Sequence, residues 1–166
     1  ADDSHTSMAN FFDFDNDGDL DVYLVVNEIS KRVSPYQFRE VLKNGENPST
    51  GRLYRNDWSD SLKHPVFKDI SKEAGIQVEG YGHSSIVIDI NNDGWQDIFV
   101  GNDFLTSDLL WINNGDGTFT DKLKDYFKHT ASNSMGNDIG DVNNDMLQDI
   151  VSLDMNPEDN YRKKMM

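Results

Sequence analysis

Three acidic loops of nine residues carry the side chains best suited by type and position to bind a metal ion. The loops span 13–21, 89–97 and 141–149 and share the pattern D-x-[DN]-x-D-G-x-x-D, with Met146 in place of glycine in the third. Oxygen ligands at alternate positions of a tight turn are what a hard cation such as Ca²⁺ requires. The spacing therefore predicts three calcium-binding loops, and their recurrence predicts a repeat protein.

Loop positions 1, 3, 5 and 9 are expected to direct side chains to the ion, and position 7 its backbone carbonyl. The predicted ligand residues are Asp13, Asp15, Asp17, Asp19 and Asp21; Asp89, Asn91, Asp93, Trp95 and Asp97; and Asp141, Asn143, Asp145, Leu147 and Asp149. Loop one offers carboxylates at all four side-chain positions, so we expect it to bind most tightly. We expect loop three to bind Ca²⁺ most weakly, because a non-glycine residue at positive φ costs about 1 kcal/mol. We still expect it to be occupied.

Such acidic loops have two other interpretations, an EF-hand and a solvated acidic turn. An EF-hand begins with the same residues but needs a glutamate at position 12 and flanking helices. Position 12 is Leu24, Val100 or Ser152, and strand-like runs follow each loop. Solvated acidic turns remain the simpler alternative, since Asp, Asn and Gly favour turns. Three copies that all keep an aspartate at position 9 favour metal binding over that alternative.

Composition limits the classes of function. The chain of 166 residues carries a net charge of −15 and has no cysteine, which excludes disulfides and thiolate metal sites. No basic stripe is available to meet phosphates, so a nucleic-acid partner is not expected. No apolar run approaches the roughly 20 residues that span a bilayer. Because the chain starts with Ala1 rather than Met, we expect a processed protein or a piece of a longer one.

Strand-like segments of β-branched and aromatic residues surround the loops. One unit is interpreted as strand, acidic loop, strand, strand, hairpin, strand. The predicted strands after the loops are 22–26, 98–100 and 150–153, then 53–56 and 110–113, then 66–69 and 118–121. An apolar residue two places before each loop (Phe11, Val87, Ile139) indicates the first strand. The segment Asn114-Gly115-Asp116-Gly117 is a strong hairpin signal.

The repeats follow at unequal intervals. Repeat one covers about 5–75 with an insertion at 28–51, repeat two about 81–128, and repeat three, incomplete, about 133–166. A capping box and an apolar face predict a short amphipathic helix at 35–44 inside the insertion. Short helical turns are predicted at 71–74 and 121–129. These units number about two and a half, and each needs neighbours to bury its faces, supplied by further chain or other subunits.

The repeats resemble the FG-GAP (VCBS) repeats of the integrin α-subunit β-propeller. The segments 53–56, 113–121 and 154–164 resemble the bacterial and cartilage-acidic-protein branch, in which such propellers often precede an ASPIC/UnbV segment. The similarity covers nearly the whole chain apart from 28–51. It implies an all-β fold, a β-propeller segment of about two and a half four-stranded antiparallel blades with Ca²⁺ loops and a small helical insertion.

The resemblance also implies a function class. Family members are mostly secreted or exposed at the cell surface, which here implies a bacterial outer surface or periplasm. Their loops suit calcium sites that work at about 10⁻⁴–10⁻³ M. With up to three Ca²⁺ ions as cofactors, the first hypothesis is a non-catalytic platform that binds or assembles protein or glycan. The second is part of a propeller enzyme, such as a polysaccharide lyase or hydrolase, and the third is a structural spacer.

Catalytic and contact residues were considered separately. His5 and His83 precede acidic loops, but a nucleophile elbow is absent and we expect both to begin strands and bond to backbone. We therefore predict no catalytic residue. Five aromatic residues could form a carbohydrate-stacking surface: Tyr54, Trp58, Tyr81, Trp95 and Trp111. Packing in the core or at blade edges is the simpler interpretation, above all for Trp111, which lies on a predicted strand. Trp95, at position 7 of loop two, is expected to point away from the ion and is the candidate ligand-contact residue.

Overall fold

The computed structural model describes residues 5–28 and 40–155. Ten strands and one short helix follow one another along this part of the chain. The strands are Thr6–Phe12 (β1), Asp21–Val26 (β2), Arg52–Ser59 (β3), His64–Asp69 (β4), Gly82–Ile88 (β5), Asp97–Asn102 (β6), Leu109–Asn113 (β7), Phe119–Asp121 (β8), Ser134–Gly140 (β9) and Asp149–Asp154 (β10), and the helix is Leu123–Tyr126 (α1). The predicted all-β fold is confirmed.

The strands form three antiparallel sheets in chain order. Sheet one has the order β1-β2-β3-β4, sheet two repeats it as β5-β6-β7-β8, and sheet three contains β9 and β10. Each acidic loop joins the first two strands of its sheet, and the registers match: Phe12 pairs with Asp21, Ile88 with Asp97 and Gly140 with Asp149. Consecutive sheets pack through β1 and β2 against β5, and through β5 and β6 against β9. This arrangement is that of a partial β-propeller.

Sheet two is covered on both faces because it lies between the other two sheets. Every residue of β6 is buried. The alternation of a strand sends Ile98 and Val100 into the core shared with sheet one, and Phe99 into the core shared with sheet three. Trp111 is 2% exposed in the first of these cores, as predicted for a core residue. Trp58, in contrast, is 62% exposed.

The predicted helix at 35–44 is not supported where the structure describes it. Residues 35–39 lie outside the described ranges, and residues 40–44 form no helix. Leu42 instead donates its N–H to Glu79 Oε1 at 2.8 Å and accepts the Glu79 N–H at 2.9 Å. Gly45 donates to the Gln77 carbonyl at 2.9 Å. The local helix pattern is overridden because these backbone groups pair with a distant segment.

Of the two predicted helical turns, the one at 71–74 forms as expected and the one at 121–129 is shorter. Residues 71–75 form hydrogen-bonded turns, with the Ala74 N–H on the Ile70 carbonyl at 2.8 Å. The predicted segment 121–129 contains α1, which has only four residues and ends where Phe127 becomes extended. No helix in the described part of the chain is long and apolar enough to cross a membrane.

Candidate metal loops and the cleft beside them

Loop one draws carboxylate oxygens together around the interior of its turn. One ligand oxygen each from Asp13, Asp15 and Asp21 lies within 4.8 Å of the other two. Asp15 Oδ1 and Asp19 Oδ1 are buried without a hydrogen-bond partner. Burial and then the neighbouring Asp17 carboxylate raise the pKa of Asp15. A cluster of this kind is self-repelling, and a bound cation would relieve the repulsion.

The backbone of each loop is held by its first aspartate. In loop one, Asp13 accepts the N–H groups of Asp17 and Gly18 at 3.1 and 3.0 Å. Asp89 and Asp141 hold loops two and three by the same pair of bonds to positions 5 and 6, between 2.9 and 3.1 Å. The three loops therefore share one hydrogen-bonded turn, as their common pattern predicts.

Loops two and three differ from loop one at position 3. Asn91 donates its amide to Asp93 Oδ2 at 2.7 Å, and Asn143 donates to Asp145 Oδ2 at 3.0 Å. The amide therefore partly satisfies a carboxylate that lacks such a partner in loop one. Among the described residues, three carboxylates that share one ion-sized space occur only in loop one. The order of calcium affinities expected from the sequence stays a prediction.

The ninth residue of each loop connects the turn to the sheet. Asp21 accepts the N–H of Phe14 at 3.2 Å and that of Asn56 at 2.8 Å. Asp97 accepts the matching N–H groups of Ile90 and Asn113 at 3.0 and 2.8 Å. Burial raises the pKa of Asp21 and of Asp97 to about 6, and the donated N–H groups partly oppose that shift. Asp149 keeps the first of these bonds, to Val142 at 3.0 Å.

Two loop positions require a left-handed backbone. At position 6, Gly18 and Gly94 have φ of 95° and 90°, and Met146 has φ of 68°. At position 4, Asn16, Asn92 and Asn144 have φ between 57° and 60°. The shared sequence pattern names no residue type at position 4, although all three loops carry asparagine there. Asparagine tolerates this conformation better than most residues, so that shared residue was the missed signal.

Met146→Gly is expected to stabilise the chain by about 1 kcal/mol, because glycine adopts positive φ without the steric cost. Met146 is 91% exposed, so its replacement removes almost no packing. Equilibrium urea unfolding in chelator would measure the gain. The matched control is Gly94→Met, where an added Cβ meets nothing within 4 Å and only the backbone cost is introduced. A Met146→Gly protein no more stable than the parent would contradict the assigned strain.

Two asparagines of the third strands, Asn56 within β3 and Asn113 at the end of β7, also support the loops. Asn56 donates its side-chain amide to the Leu20 carbonyl at 3.1 Å, and Asn113 donates to the Gln96 carbonyl at 3.3 Å. Asn113 also donates to the Phe14 carbonyl at 2.8 Å and so joins sheet two to loop one. The sequence predicts both residues on strands but does not predict their bonds to the loops. Their matching positions at the ends of the predicted strands 53–56 and 110–113 were the signal that could have shown it.

Trp95 lies beside a cleft between sheets one and two. Its indole packs on the hairpin, since a Cβ on Gly115 would lie 2.9 Å from Trp95 Nε1. Trp95 is half-buried and faces a space of about 470 Å³ lined also by Phe14, Arg55 and Lys68. The indole is thus fixed by the fold and directed at a cleft.

The histidines near the loops lie on or beside first strands. The His5 carbonyl accepts the Asn27 N–H at 2.9 Å, just before β1. His83 lies in β5, and its Nε2 is 3.2 Å from Asn27 Nδ2 and 3.5 Å from Asp103 Oδ2. The ring of His83 therefore contacts two side chains, whereas the sequence predicted a bond to the backbone.

Comparison with known proteins identifies the repeat. No curated protein matches the chain. Residues 89–152 match the family model described as FG-GAP-like repeat. The matched segment begins at loop two, contains β6 to β9 and loop three, and ends within β10. The unmatched sheet one has the same strand order and the same loop as sheet two. Residues 89–152 are therefore similar to an FG-GAP-like repeat, which supports the predicted repeat type for that part of the chain.

Proposed function

We propose that the chain is a non-catalytic, calcium-stabilised propeller segment that acts outside the cell as a platform for binding or assembling protein or glycan. The observation that carries the metal part is the convergence of the Asp13, Asp15 and Asp21 oxygens within 4.8 Å. The buried Asp15 Oδ1 without a partner supports it, because an orphaned buried oxygen is costly unless something binds it.

The calcium would act structurally. Each loop joins the first two strands of a sheet, and its ninth residue bonds to the loop as well as forming the start of the second strand. Neutralising the loop would therefore fix the turn between paired strands and the contact of loop one with sheet two through Asn113. Calcium at millimolar concentration outside cells suits sites of modest affinity.

The surface and the site together support the platform role. The fold exposes loops and a cleft, while the buried aromatic residues fill the cores between sheets. The histidines lie among amide and carboxylate side chains on the inner strands, and we propose no catalytic role for them. A spacer is the alternative, and it would need no cleft with a fixed aromatic side chain.

Calcium is expected to raise the melting temperature of chelator-stripped protein by roughly 5–10 °C at a hundredfold excess over the dissociation constant. Calorimetric titration would count the sites, with Mg²⁺ as the ion control. Asp15→Ala should remove the tightest step. Asp60→Ala is the matched control, because Asp60 has a side chain 94% exposed in the β3–β4 turn, outside every loop. Absence of calcium binding would leave the loops as acidic turns and overturn the metal part of the proposal.

A further inference from the structure

The cleft between sheets one and two has the size and lining of a small-molecule site. Its volume of about 470 Å³ lies within the roughly 300–1,000 Å³ of such sites. Phe14, Ile70 and Ala74 contribute apolar surface from the core between the sheets. Trp95 and the hairpin 115–118 form one side, and β3 and β4 supply charged residues. Loops and strands of two repeats thus build one concave surface.

Trp95 offers this cleft a fixed aromatic surface. Gly115 has φ of 72° and no side chain, which lets the indole lie against the hairpin backbone. The indole therefore needs no reordering before a ligand binds. The face of an indole carries negative charge density that attracts polarised C–H groups, such as the axial C–H groups on the faces of a β-glucopyranose-type ring.

The β3–β4 side of the cleft carries the cations Arg55 and Lys68, and the carboxylates of Asp15, Glu73 and Asp116 also line the cleft. Arg55 and Lys68 are directly opposite each other in the pairing of β3 with β4. Like charges directly opposite each other destabilise a sheet, and here the Asp57 carboxylate beside Arg55 offsets that repulsion. Asp57 binds the Arg55 guanidinium at 2.8 and 3.2 Å. Within the described ranges, Lys68 forms no ion pair, so its ammonium group is available to a ligand.

We propose that this cleft binds a uronate residue of an acidic glycan, with the sugar ring on Trp95 and its carboxylate at Lys68. The inference rests on the proposed platform function and names its ligand class. A glycan fits better than an acidic peptide because the aromatic surface is flat and the remaining lining, with Glu73, Asp116 and Thr118, is rich in groups that bond hydroxyls.

Ligand-observed NMR titration with methyl β-glucuronide and its neutral match, methyl β-glucoside, tests the proposal on the whole chain. The glucuronide is expected to bind about tenfold more tightly, since a charge-assisted hydrogen bond contributes that much. Lys68→Gln should abolish this preference and leave glucoside binding unchanged. Trp95→Ala should weaken both sugars about fivefold or more, and Trp95→Phe should retain part of the affinity.

Matched controls are available outside the cleft. Trp58→Ala removes an exposed indole, and Lys128→Gln removes an exposed ammonium group; neither should alter binding. Equal affinity for the two sugars, or equal loss in the control variants, would overturn the proposal. Tighter binding of N-acetyl-Ala-Glu-Ala-amide than of glucuronide would overturn it in favour of a peptide site.

The calcium titration separates this inference from the function on which it rests. Each sugar titration is run with calcium and with chelator. Calcium stabilisation without glucuronide binding would overturn the uronate site alone. Glucuronide binding at the cleft without any calcium binding would support the site and overturn the metal part of the proposed function.

Discussion

Phe14→Ala is expected to lower the free energy of unfolding by about 3–5 kcal/mol, the usual cost of deleting a buried phenylalanine ring. Phe14 belongs to an acidic loop, yet it is 2% exposed. Its ring lies 6.1 Å from that of Phe119 in the core between sheets one and two. Its carbonyl accepts the Asn113 side chain of sheet two at 2.8 Å. The loop residue therefore fastens one repeat to the next.

Equilibrium urea unfolding, with the slope checked for two-state behaviour, would measure this loss. Phe11→Ala is the matched control, because Phe11 is 62% exposed on β1 and its removal should cost less than about 1 kcal/mol. If Phe14→Ala does not fold, Phe14→Leu gives a smaller but measurable loss. Equal costs at Phe14 and Phe11 would contradict the assigned role of the loop residue.

The sequence predicted the strands and loops well because both depend on short-range patterns. Alternating apolar residues fix which segments pair as strands, and Asp, Asn and Gly at set positions fix a turn. β1 to β10 accordingly fall on the predicted segments. The backbone conformation at position 6 was also predictable, since two of three copies carry glycine there.

The contacts between repeats were not predictable from those patterns. Phe14, Ile90 and Val142 occupy the same loop position, but Phe14 is buried, Ile90 is half-buried and Val142 is 68% exposed. Phe14 packs in the core shared with a four-stranded sheet, and Ile90 packs beside the smaller core shared with sheet three. The cleft beside Trp95 likewise depends on Gly115 and Lys68, which come from different repeats. The helix predicted at 35–44 failed in residues 40–44 for the same reason, because a segment more than thirty residues away takes the backbone bonds of Leu42.

Gly82→Ala is expected to destabilise the chain by about 1–3 kcal/mol, the usual cost of overpacking. Gly82 lies at the start of β5, where sheet two meets sheet one. An added Cβ would lie 2.2 Å from Val25 Cγ1, well inside van der Waals contact. Val25 is 1% exposed and β-branched, so it has little freedom to move aside. The close approach of the two sheets therefore requires glycine at this position.

A double-mutant cycle with Val25→Ala tests that explanation by removing the atom that would clash. Val25→Ala alone should cost about 1–3 kcal/mol through lost burial and the cavity left behind. The double variant should be more stable than the sum of the single losses by about 0.5–3 kcal/mol, the coupling expected of residues in contact. Gly136→Ala is the control, since nothing lies within 4 Å of a Cβ there and no coupling with Val25 is expected. Additive losses at 82 and 25 would show that the repeats do not meet through this pair.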